Sequence, residues 1–349
     1  MMTNAAIWIE TQRQREAELR RCAEAHRLVA GRRRFRSKEE AGMGTTPLDV
    51  IGVPSSMAAF APGQERTPRA LRDAGLLRAI EAAGILVHDR GDAAVRRWRP
   101  DPTHPKAQNV DAVVDVVRET AMRVRESAAG GHTTLVLGGD CTVELGTIAG
   151  CRDGSRPLGL VYFDLHPDMN VPSAVPEGAL DWMGMAHALA LEGAVDELVG
   201  ANGRAPLLVP DEVFLFAYGP DNRTAFEREQ MEEHGLRGMD VREVARDPDR
   251  AAVRAIAALE PDVDRILVHL DVDVIDFTDL PLSENAGRNT GLSFEHAARA
   301  LRVLLSSPKL AALTVTEVNP DHDPDGTALG RLVGGLAEAL AYAPALTGA

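Results

Sequence analysis

Carboxylates, imidazoles and one thiol recur in this sequence just beyond short apolar runs. The densest case is Asp164-Leu165-His166-Pro167-Asp168, which follows Leu158-Gly159-Leu160-Val161-Tyr162-Phe163. Side chains alternate along extended backbone, so Asp164, His166 and Asp168 can point one way. Two carboxylates and an imidazole converging at a strand end make a site for a hard or borderline metal ion. A second case is Val268-His269-Leu270-Asp271-Val272-Asp273-Val274-Ile275-Asp276, another apolar run that opens into carboxylates at alternating positions. Unpaired, so many buried carboxylates repel one another and are costly to desolvate. Divalent cations resolve that cost. Two further segments share the pattern: Gly138-Gly139-Asp140-Cys141 and Glu317-Val318-Asn319-Pro320.

The elements that must position these groups alternate between strand and helix. A strand is expected over Leu48 to Pro54, then a helix over Arg69 to Ala83 with Pro68 near its start, and a strand over Ile85 to His88. Apolar spacing at Val113, Val116, Val117, Ala121 and Val124 predicts a helix over Asp111 to Ala129, ended by Gly130-Gly131. Strands follow at Thr133 to Leu137, Leu158 to Phe163, Glu212 to Ala217, Arg265 to Leu270 and Leu310 to Val315. Helices are expected at Thr142 to Ala149, Leu180 to Leu191, Arg223 to Glu233, Ala251 to Leu259, Phe294 to Leu305 and Gly330 to Ala341. The alternation predicts an α/β fold with a mostly parallel sheet covered on both faces. Ligands in such folds bind beyond the carboxyl ends of strands. Asp140, Asp164, Asp271 and Glu317 each sit just past such an end.

Composition bounds the function. The chain has 349 residues and is 45% hydrophobic, enough for a sizeable core. Its formal charge of −14 argues against nonspecific nucleic-acid binding. No apolar stretch approaches the roughly 18–20 residues that span a bilayer, and no signal peptide is evident. Three cysteines, Cys22, Cys141 and Cys151, do not suggest a disulfide framework and fit a reducing cytoplasm. Residues 1–46 read as a basic, helical or flexible extension, and 47–349 as the globular domain that carries the four segments.

The order, spacing and context of the four segments resemble the ureohydrolase family of arginase, agmatinase, formimidoylglutamase and guanidinobutyrase. Gly52-Val53-Pro54, Pro62-Gly63-Gln64 and Pro68-Arg69-Ala70-Leu71-Arg72 add to the likeness, which runs from about residue 48 to 341. The resemblance implies a three-layer α/β/α fold and a binuclear manganese centre whose bridging hydroxide attacks a guanidine or amidine carbon. It implies that Asp164 and Asp271 bridge the two ions, that Cys141 and Asp168 complete one, and that His166 and Asp273 complete the other. It implies that Glu317 grips the guanidinium and, with Asp168, belongs to the catalytic groups. Asp140 and Asp276 would orient ligands by hydrogen bonds. Asn170 is a candidate substrate contact. A homo-oligomer, trimer or hexamer, is expected from the same likeness.

The departures are informative. The family has His where this chain has Cys141, and a thiolate favours zinc, iron or nickel over manganese. A cysteine there also resembles hydrolases of hydroxyguanidines, which makes an N-hydroxyguanidine one candidate substrate. Met183 stands where a proton-shuttling His is expected; Asp181 and His187 are the candidate replacements. In the loop Gly219-Pro220-Asp221-Asn222-Arg223, Asp221 matches one acidic position for a substrate α-amino group, while Arg223 occupies another. A cation there repels an α-ammonium. Phe277 replaces a proline, and Glu284, Asn285 and Arg288 lie in a divergent loop that can set substrate choice. The leading expectation is therefore a hydrolase of a C–N bond in a linear amidine or guanidine other than plain arginine. Two other readings stay open: a metal-retaining relative that binds a ligand or regulates a partner, and a mononuclear, deacetylase-like amidohydrolase built on Asp164, His166 and Asp271.

Overall fold

A computed structural model of the chain describes residues 45–152, 154, 156–287 and 289–348. All but the last two residues of the expected extension, and Arg288, lie outside them. Among the described residues, eight strands form one sheet: β1 (Leu48–Gly52), β2 (Val87–Asp92), β3 (Thr133–Leu137), β4 (Leu158–Phe163), β5 (Val213–Tyr218), β6 (Arg237–Asp240), β7 (Arg265–Asp271) and β8 (Leu310–Thr316). Their order is β2-β1-β3-β8-β7-β4-β5-β6, and every pairing is parallel.

The period-2 alternation of each central strand divides the core between two faces. Leu135, Leu137, Val161, Phe163, Ile266, Val268 and Leu270 pack on one side with the helices Thr67–Asp73, Leu76–Ala82, Pro248–Leu259, Phe294–Leu304 and Thr327–Leu340. Val136, Leu160, Tyr162 and Leu267 pack on the other with Val110–Ala129, Val143–Cys151 and Gly184–Leu189. The strands read as near-continuous apolar runs because both faces are covered. Phe163 and Phe216 meet edge to face at 4.9 Å, so each fully buried ring contributes on the order of 3 kcal/mol to the core.

Several element boundaries differ from the sequence-based expectation. The helix expected over Arg69 to Ala83 breaks at Gly75, whose φ of 91° is left-handed. The strand expected at Ile85 to His88 runs from Val87 to Asp92, paired with β1 along one edge. The region Leu180 to Leu191 is a 3-10 turn, Asp181–Met183, followed by a short helix, Gly184–Leu189. Strand β6 was not expected. Arg237-Gly238-Met239-Asp240 carries no β-branched residue, and edge pairing to β5 makes it a strand.

Topology decides where chemistry can occur. β3 and β4 follow each other in sequence, yet β8 and β7 lie between them. The adjacent carboxyl ends of β3, β8, β7 and β4 therefore bring Cys141, Glu317, Asp271 and Asp164 into one row, at the switch in strand order.

Candidate metal centre

A cleft of about 190 Å³ opens above that row. Cys141, His166, Asp168, Asp271, Asp273 and Glu317 line it, with Phe60, Asp181, Trp182 and Asn285 around them. Asp164 lies against it, 1% exposed.

Each key carboxylate is aimed by its own backbone. Asp164 Oδ1 accepts the amide of His166 at 2.6 Å, and Asp271 Oδ1 accepts the amide of Asp273 at 2.7 Å. These local turns fix the side chains and leave both Oδ2 atoms facing Cys141 Sγ, at 4.0 and 3.2 Å. His166 Nδ1 stands 2.9 Å from Asp273 Oδ2 and 3.8 Å from Asp164 Oδ1. Asp168 is held at φ 50°. Its carbonyl accepts the first amides of the helix Gly184–Leu189, from Met185 and Ala186. Its Oδ2 accepts the Tyr162 hydroxyl at 2.5 Å. Gly139 has no room for a side chain, since a Cβ there would stand 1.7 Å from the Ser55 carbonyl oxygen. The same Ser55 carbonyl accepts the amide of Asp140 at 3.2 Å.

Burial dominates the electrostatics. It pushes the carboxyls of Asp164 and Asp271 up, and in both cases Asp273 is the largest charged contributor. Burial and then Asp164 raise Asp168 well above the carboxylate range. Burial and then Asp181 do the same to Glu317. The Cys141 thiol is driven up by burial and by Asp271. Several acidic groups thus share a small volume with no lysine or arginine among the described residues that line it, and oxygen, nitrogen and sulfur donors converge there. This donor set fits divalent ions.

Among the described residues, three groups have the spacing to hold an ion: Asp164 with His166 and Asp273, Cys141 with Asp164 and His269, and Asp49 with His88 and His132. The third lies at the β1–β2 edge, where Arg90 already pairs with Asp49 at 3.1 Å.

Glu317 reaches the cleft with φ 61°. Its Oε1 accepts the amide of Cys141 at 2.9 Å, and its Oε2 accepts Nε2 of Gln64 at 3.0 Å. The motif Pro62-Gly63-Gln64 thus has a physical role that the sequence reading did not assign: it aims Glu317. Asp140 holds the surrounding loops, accepting from Ser55, Ala58 and Thr142. Asp276 spends its Oδ1 on Thr278, capping its own turn.

Other expected site residues stand elsewhere. Asn170 is buried, and its Oδ1 accepts the Thr224 hydroxyl at 2.8 Å. Asp221 is exposed and paired with Arg242 at 2.5 Å. Arg223 lies over the Tyr218 ring at 4.7 Å. None of the three is among the residues lining the cleft. His187 is a core residue. Its Nδ1 contacts the Met183 carbonyl at 2.6 Å, and burial lowers it to about 4. Met183 is fully buried, whereas Asp181 is half-buried and does line the cleft. In the divergent loop, Asn285 donates to Asp273 at 2.9 Å, while Glu284 accepts from Asn319 at 2.7 Å.

A parallel sheet with this acidic cleft across its strand ends defines an α/β protein built to hold divalent cations. The Arginase family model matches residues 47–340, and the chain belongs to that family. Membership makes it a hydrolase of C–N bonds in linear amidines or guanidines. The arginase of Brevibacillus brevis is 28% identical over 281 residues, covering 79% of this chain and 91% of that protein. The structure of arginase from Bacillus cereus matches with a TM-score of 0.77 at 26% identity, covering 85% of this chain and 98% of that one. Formimidoylglutamase from Bacillus subtilis shares the fold, with a TM-score of 0.68 at 15% identity over 91% of this chain and 99% of that one.

Proposed function

We propose that this chain hydrolyses a C–N bond of a guanidine or amidine that carries no free α-ammonium group. Cys141, Asp164, His166, Asp168, Asp271 and Asp273 would hold two divalent ions, with Asp164 and Asp271 serving both. The observation that carries the reading is the convergence of these six donors and Glu317 on one cleft. Bound ions supply Lewis acidity and lower the pKa of water. Glu317, fixed by Gln64 and the Cys141 amide, accepts N–H groups of the substrate and orients its central carbon. Asp181 lines the cleft in the region where a shuttling imidazole was expected, and it carries the proton between the leaving nitrogen and solvent. Manganese suits the oxygen donors, while Cys141 admits zinc, iron or nickel.

Substrate choice follows from what rims the cleft. Asp221 is neutralised by Arg242 and points to solvent. Among the described residues the rim is instead Phe60, Trp182 and Asn285, with Asp181 as its one acid. Such a rim favours guanidino acids, formimino compounds or N-hydroxyguanidines over arginine. The same reading carries a cytoplasmic, homo-oligomeric enzyme, trimer or hexamer.

The test is a screen for urea, substituted urea or formamide with protein loaded in turn with manganese, zinc, iron and nickel. Turnover of at least one of these classes faster than arginine, lost on chelation, is expected. Arginine as the best substrate, or no turnover by any metal form, overturns the proposal; the second result leaves a ligand-binding relative.

A further inference from the structure

His269 stands in the centre without belonging to the ligand set that the family resemblance implied. It sits in β7, fully buried, two residues before Asp271. The sheet register places it between Tyr162 of β4 and Thr314 of β8. The Tyr162 ring stacks on the imidazole at 4.3 Å with 4° between planes, which fixes its orientation. Its Nε2 faces Cys141 Sγ at 3.6 Å, Asp164 Oδ2 at 3.7 Å and Thr316 Oγ1 at 3.4 Å. On the opposite side, Nδ1 stands 3.5 Å from Glu144 Oε2. Glu144 is 3% exposed, and neither of its carboxylate oxygens has a hydrogen bond in the described structure.

We propose that His269 is a metal ligand through Nε2, completing the ion on the Cys141 side, with Glu144 accepting from Nδ1–H. This rests on the two-ion reading above. The three donor atoms Sγ, Oδ2 and Nε2 lie within 4.8 Å of one another. Sulfur and nitrogen bound to one tetrahedral ion at about 2.3 and 2.0 Å stand roughly 3.5 Å apart, and the observed separation is 3.6 Å. A carboxylate behind the far nitrogen is the arrangement that fixes a ligating imidazole's tautomer. A metal-free thiolate–imidazole pair is the weaker reading, because Asp271 at 3.2 Å and Asp164 at 4.0 Å would oppose a thiolate with no cation between them. Where Cys141 takes an imidazole's place in the loop after β3, the strand two places along the sheet returns one. Thiolate plus imidazole makes the two halves of the centre unequal. The Cys141 side selects a softer ion than the His166–Asp273 side.

The test compares metal content of the full chain and its His269→Ala variant, each purified with zinc and checked for fold by circular dichroism. Two ions in the wild type and about one in the variant are expected. Two in both would overturn the assignment of His269 while leaving the two-ion reading intact. None in the wild type would sink both. Should His269→Ala fail to fold, zinc X-ray absorption of the wild type decides. Imidazole scattering from two rings, His166 and His269, is expected; scattering from one ring overturns the proposal. Glu144→Gln should keep the fold and weaken one of the two ions by roughly 10- to 100-fold in a chelator titration. Unchanged binding of both would remove the role assigned to Glu144.

Discussion

Nε2 of Gln64 donates to Oε2 of Glu317 at 3.0 Å, across 253 positions of sequence. The amide lies in the loop after β1 and the carboxylate just past β8. The hydrogen bond therefore joins two sides of the sheet's carboxyl edge, and both partners are buried. A buried carboxylate facing a cleft keeps one orientation only where donors hold it.

Gln64→Leu removes that donor and keeps the volume. We predict a roughly 10- to 100-fold loss of kcat/KM, the equivalent of about 1–3 kcal/mol for an unsatisfied buried group. Metal content should not change. Wild-type kinetics in this variant would show that Glu317 needs no such support.

On the assignment that the family resemblance implies, Asp164→Ala and Asp271→Ala each remove a group shared by both ions, so elemental analysis should find neither ion bound. His166→Ala removes a donor from one ion and should leave about one per chain. Retention of both ions in Asp271→Ala would refute the bridging assignment.

Tyr162→Phe removes the hydroxyl that donates to Asp168 Oδ2 and keeps the stack on His269. The folded state should lose only about 1 kcal/mol. Affinity for one ion should fall by roughly 10- to 100-fold, the usual effect of losing a partner that orients a ligand. Equal affinities in a chelator competition would assign Tyr162 a packing role alone.

Far from the cleft, Arg152 and Glu212 form a two-pronged ion pair, at 2.9 and 2.5 Å, with side chains 5% and 14% exposed. Burial acts to raise the Glu212 carboxyl, but the Arg152 hydrogen bond and the amides of Val209 and Leu158 outweigh it, and the net shift is downward. A lowered folded-state pKa stabilises the protein above the unfolded value of about 4.3, and that stability is lost as pH falls through the folded value. Glu212→Gln should cost about 1–2 kcal/mol at pH 7, between an exposed and a buried pair. The gap in Tm between the two proteins should close as acid titrates Glu212. A gap independent of pH would count against the ion pair as its cause.

The linear sequence carried the fold class, because strands covered on both faces read as near-continuous apolar runs and the helices between them keep a 3.6-residue spacing. It also pointed to Asp164, His166, Asp168, Asp271, Asp273 and Glu317, because each lies at the carboxyl end of such a strand or in the loop just beyond it. Period-2 alternation extended backwards from Asp271 would also have flagged His269, whose burial within an apolar strand disguised it as core. What tertiary structure alone decided are the contacts between distant segments. Strand order set Cys141 beside His269, and it set Gln64 beneath Glu317. It also moved Asn170, Asp221 and Arg223 onto other partners, Thr224, Arg242 and Tyr218. Local spacing dictates which way a side chain leaves its own strand. Which strands become neighbours, and so which side chains meet, follows from burying both faces of the whole sheet at once.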